Sequence, residues 1–80
     1  MTQDLVPNAE SAVKVALGLL AESLGLLARD VIDAFQPWTA RAVDDAWEVR
    51  GTLPKGTRGG TFVIVVARRD ARLRKIFHDR

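Results

Sequence analysis

Residues 46–66 constrain this chain more than any other stretch: they read as a strand, a glycine-rich connection and a second strand. Trp47, Val49, Gly51 and Leu53 alternate with Glu48, Arg50 and Thr52, the period of two expected of a half-buried strand. Residues 61–66 form a nearly unbroken apolar, β-branched run, which suits a central strand covered on both faces. Gly56, Gly59 and Gly60 lie between the two runs. A phosphate cradle would need such glycines to lead into a helix N-terminus. Here they lead into a strand, so they are read as positions that allow positive φ in a long hairpin.

Further elements fall into place around this hairpin. Pro7-Asn8 marks a helix start, with Asn8 as the cap. Val13, Ala16, Leu17, Leu20 and Leu24 recur at steps of three and four and predict one apolar stripe. Gly25 is a candidate C-cap, giving helices over about 9–24 and 26–35, with one helix through Gly25 as the alternative. Gly18, inside the first helix, is either a point of close approach to the sheet or without consequence. Pro37 ends the helical region. Strands are expected over 38–43, 46–53, 61–68 and 72–78, with turns at Asp44-Asp45 and Arg69-Asp70-Ala71. Helices first and hairpin-linked strands after predict an α+β domain: an N-terminal helix, broken or not at Gly25, on a curved antiparallel sheet of three to four strands. The 80 residues form a single domain, with residues 1–7 expected to be a flexible tail.

Composition excludes several functions. There is no cysteine, hence no disulfide and no thiolate metal site, and one histidine cannot supply a multi-histidine centre within a monomer. No cofactor is implied. The apolar run from Ala12 to Ala28 is interrupted by Lys14 and Glu22, so no membrane span is expected. Residues 1–8 lack a basic cluster, and the expected location is cytoplasmic. A domain this small buries only about 60–65 % of its unfolded surface, so a homodimer is the expected supplement to its core.

The candidates for chemistry are few. His78 stands beside Asp79, but no serine or cysteine is spaced to complete a triad. Asp44-Asp45 and the pair Asp30 and Asp33 read as turn formers and a solvated helix face. Trp38 and Trp47 flank the first hairpin, either as core or, for Trp38, as an exposed interface anchor. Charge is divided along the chain. Residues 1–49 carry three basic and eight acidic side chains, a net of −5, and residues 50–80 carry nine basic and two acidic, a net of +7. The basic run over residues 68–75 has no aromatic row for base stacking, so nucleic acid is not the expected partner. Alternation would put Arg72 and Arg74 on one face of the last strand and Leu73, Lys75 and Phe77 on the other.

Several of these strings resemble a known family. Residues 7–16 (Pro-Asn-Ala-Glu-Ser-Ala-Val-Lys-Val-Ala), Leu24-Gly25, Gln36-Pro37-Trp38, residues 45–54 (Asp-Ala-Trp-Glu-Val-Arg-Gly-Thr-Leu-Pro), Gly59-Gly60-Thr61-Phe62 and the Arg69-Asp70 turn are similar to the small bacterial immunity proteins with a nuclear-transport-factor-2-like, or cystatin-like, fold. The resemblance spans about residues 6–78; its most specific part is the tryptophan strand, the Gly-Thr-Leu-Pro exit and the double glycine. Members commonly carry glycine where this chain has Ala71, and an aromatic where it has Leu24. This chain is also shorter than a full cone-shaped domain of that fold, which implies a shallow pocket. The resemblance implies a non-enzymatic protein that binds and neutralises a cognate toxin of a polymorphic toxin system, with no catalytic residues to transfer. The protein-binding residues expected on this reading are Trp38, Arg58, Arg68, Arg69, Arg72 and Arg74. The alternatives are a small-molecule or degenerate-enzyme domain on a cystatin-like scaffold, and a nucleic-acid binder acting through the basic C-terminal strand.

Overall fold

The computed structural model describes residues 3–56 and 59–79. Helix α1 runs over Ala9–Leu24, a 3-10 turn over Gly25–Leu27 and helix α2 over Ala28–Ala34; four strands follow, β1 (Thr39–Val43), β2 (Ala46–Arg50), β3 (Phe62–Ala67) and β4 (Leu73–His78). The strands form one antiparallel sheet in the order β1-β2-β3-β4. The sheet is open, and α1 lies across one of its faces. This is the α+β architecture of nuclear-transport-factor-2-like and cystatin-like domains.

The caps are those the sequence predicts. Asn8 Oδ1 accepts from the Ser11 N–H at 2.8 Å, and Gly25 ends α1 with φ 60°. That backbone is open to glycine and closed to most side chains. The packed line of α1 is Ala12, Ala16 and Leu20, all fully buried, with Val13, Leu17 and Leu24 flanking it. Two alanines at the centre bring the helix axis close to the sheet. Gly18 has no part in that approach: a side chain added there would meet nothing within 4 Å. By length and composition, residues Ala9–Ala34 could cross a membrane. They do not form one straight helix, because the break at Gly25 leaves α1 with 16 residues. At 1.5 Å per residue that is roughly 24 Å, short of a hydrocarbon core of about 30 Å. Helix α2 packs on α1 and the 3-10 turn rather than on the sheet.

Strand β2 stops at Arg50, three residues before the predicted end. The chain turns away because the Thr52 N–H donates to the Phe35 carbonyl (2.7 Å) and Thr52 Oγ1 donates to the Pro37 carbonyl (2.7 Å). Gly51 sits in the crease. A Cβ there would lie 2.6 Å from Thr61 Oγ1 and 2.7 Å from Phe35 Cβ. Strand β3 is the covered centre, with Val63, Ile64, Val66 and Ala67 buried.

The face assignment of β4 needs correction. The register shifts between Val65 and Val66, which pair with Lys75 and Leu73. Arg74 is the extra residue of this bulge. Leu73 therefore shares the helix-facing side with Val66, while Lys75 and Phe77 share the other side with Val65 and Val63. Simple alternation cannot anticipate an inserted residue.

The N-terminal segment also differs from the expected tail. Val6 is 0 % exposed and belongs to the core. Leu5 and Val6 donate their N–H groups to the carbonyls of Arg69 and Arg68, at 3.0 Å each. This short backbone pairing seals the end of the core above β3.

Candidate functional site

The Asp44-Asp45 turn leaving β1 and the turn over residues 68–72 leaving β3 lie side by side, because Ala46 pairs with Ala67 and the Arg68 N–H donates to the Asp45 carbonyl (2.9 Å). The segment carrying Asp4 to Val6 crosses the same end of the sheet. Between these three pieces is an open groove of about 540 Å3, lined by Asp4, Asp44, Asp45, Arg68 and Arg69.

Each wall has a structural cause. Asp44 adopts φ 55°, a left-handed conformation that Asp tolerates in tight turns. Ala71 has φ 60° without that tolerance, at the position where glycine would be at ease. Asp70 Oδ1 accepts from the Arg72 N–H at 3.1 Å and closes the second turn. Arg74, projected by the bulge, donates from Nη1 and Nη2 to the two oxygens of Asp45 at 2.8 and 2.7 Å. That two-pronged contact holds the Asp45 carboxyl below its ordinary pKa of 3.8 and raises that of Arg74. Arg68 lies over Trp47, its guanidinium carbon 5.2 Å from the ring centre. Trp47 is fixed in turn by its indole N–H, which donates to the Val6 carbonyl at 2.8 Å.

Folding redistributes the charge that the sequence segregates. The acidic turn between β1 and β2 is placed against the basic turn between β3 and β4. On the sheet face away from α1, Glu48 Oε1 lies 3.2 Å from Arg41 Nη2 and 3.4 Å from Arg50 Nε. These are ion-pair contacts rather than aligned hydrogen bonds, since Oε1 is buried and has no hydrogen-bond donor among the described residues. Arg50 also donates to Asp79 Oδ2 at 2.9 Å, which is the main reason its pKa is raised. Asp79 thus faces Arg50, while the His78 ring packs edge-on against Phe62 at 5.1 Å.

Of the six residues expected to contact a partner, Arg68, Arg69, Arg72 and Arg74 gather at the double-turn end. Arg58 lies outside the described residues. Trp38 is at the opposite end of β1 and is 9 % exposed; its indole N–H donates to the Ile32 carbonyl at 2.9 Å and its ring meets Phe35 edge-on. Trp38 therefore occupies the core, the first of its two sequence readings, and offers no surface in this conformation. Sequence reasoning missed Asp4 and the platform role of Trp47. The second was recoverable from register: Trp47 pairs with Val66, and Arg68, two residues on, is its diagonal neighbour on the same face.

Among the described residues no cluster of three or more His, Cys, Asp or Glu is placed to hold a metal ion. A family model described as "NTF2 fold immunity protein" matches residues 11–80. No curated protein and no solved structure matches significantly.

Proposed function

The chain belongs to the NTF2 fold immunity protein family, and from that premise we propose that it binds a cognate bacterial toxin in the cytoplasm and neutralises it by occlusion, without catalysis. The observation that carries the site assignment is the convergence of Arg68, Arg69, Arg72 and Arg74 on one exposed end, beside an open groove. Such a rim steers a charged partner and fixes its register. Among the described residues the groove lining contains no serine, cysteine or histidine, so it supports recognition better than acid–base or nucleophilic chemistry. Four aspartates at the same end (Asp4, Asp44, Asp45 and Asp70) offset the arginines, which speaks against a polyphosphate backbone as the ligand. The groove is open and walled by charge, unlike an enclosed apolar ligand cavity between helix and sheet.

The test is a binding measurement with the toxin encoded beside this gene. A saturable complex that weakens with salt and abolishes toxin activity is expected. Reversing Arg69 and Arg72 to glutamate should weaken it at least tenfold, mostly through slower association. A folded protein that ignores the toxin at micromolar concentration refutes the proposal.

A further inference from the structure

Arg68 is built differently from the other described arginines of the sheet. Its backbone is pinned on both sides, the N–H to the Asp45 carbonyl and the carbonyl to the Val6 N–H. Its guanidinium rests on an indole that is itself hydrogen-bonded in place. Arg74 commits its planar fork to Asp45, and Arg50 is paired with Asp79 and Glu48. Arg68 makes no ion pair within 4.0 Å among the described residues, although three aspartates line the groove it enters. Its Nε is buried and has no hydrogen-bond partner there. A buried N–H left without an acceptor is unfavourable, so an acceptor that reached it would recover that deficit. Arg69 lines the same groove and is likewise outside every ion pair described.

The geometry points to a carboxylate-binding site: the groove receives an aspartate or glutamate side chain of a partner segment, held by the fork of Arg68 with Arg69 as the second cation. Asp4 and Asp44 on the same walls repel a uniformly acidic segment and favour one whose acidic residue is flanked by basic ones. This refines the toxin-binding reading and relies on it for the biological partner, but the chemistry is testable without the toxin.

The probe is an end-capped pentapeptide with glutamate at its centre and lysine at each end, compared with the same peptide carrying glutamine. Both are titrated into the isotopically labelled full chain, following the Arg68 Nε–H and Trp47 indole N–H signals. The glutamate peptide should shift both and bind about tenfold more tightly than the glutamine peptide. Arg68→Lys keeps the charge but loses the fork and the stacking surface, and should weaken binding about tenfold. Arg41→Lys, on the far face of the sheet, should change nothing, and thermal melts of both variants establish that they fold. Equal binding of the two peptides, undiminished binding by Arg68→Lys, shifts confined to Arg41 and Arg50, or no shift at about 10 mM peptide overturns the site. Toxin binding without peptide binding would leave the immunity role standing and remove this site; the reverse result would do the opposite.

Discussion

Two glycines with opposite surroundings show how far a single position depends on what it faces. Gly18 is exposed in mid-helix, and an added Cβ meets open space. Gly18→Ala should therefore stabilise the protein by up to about 1 kcal/mol, read as a higher urea midpoint at unchanged slope. Gly51 is buried in the crease between Phe35 and Thr61, and Gly51→Ala should destabilise by about 1–3 kcal/mol in the same assay. The two look alike in the sequence. Their difference lies in contacts between residues 35, 51 and 61, which no local pattern encodes. The Asp45–Arg74 pair belongs to this scale too. The Asp45 pKa is lower folded than unfolded, chiefly through its hydrogen bonds to Arg74. Its contribution is thus complete above the unfolded value near 3.8 and fades as pH falls through the lower folded value. Between pH 5 and 2, Asp45→Asn should flatten the decline of stability with acid, measured by urea unfolding at successive pH values. An unchanged acid slope would mean that the contact adds nothing in solution.

At the scale of elements, most of the architecture could be read from the residues. The Asn8 cap, the break at Gly25, the alternating strand β2 and the covered strand β3 follow from capping, periodicity and β-branching, which are local. What escaped has a common cause: an early end to β2, an extra residue in β4 and a pinned N-terminal segment are each settled by backbone bonds to distant residues. The same contrast gives a prediction for two leucines. Leu20 is 0 % exposed and Leu26, in the 3-10 turn, is 100 % exposed. Leu20→Ala should destabilise by about 2–5 kcal/mol. Leu26→Ala should change stability by less than about 0.5 kcal/mol. Equal effects on thermal unfolding would mean that the overhanging turn packs against something in solution.

For the molecule as a whole, the candidate site was half legible. The arginines of residues 68–74 announced themselves by composition, but their acidic counterparts come from the other half of the chain and reach them only through the order of strands. The charge split of −5 and +7 therefore overstates the positive field that a partner meets. Complex formation should weaken by less, between about 50 and 200 mM salt, than four unopposed cations would imply, as a titration over that range would reveal.

The pairing of Leu5 and Val6 with the second turn bears on how the chain tolerates shortening. The family match begins at residue 11, yet the helix cap at Asn8, the acceptor for the Trp47 indole and the plug formed by Val6 all precede it. A protein trimmed to the matched span would lose all three at once, and the Trp47 ring on which Arg68 rests would lose its anchor. Proteolytic nicking before Ala9 should accordingly disarm the molecule from a distance, melting its recognition end while every arginine is still present.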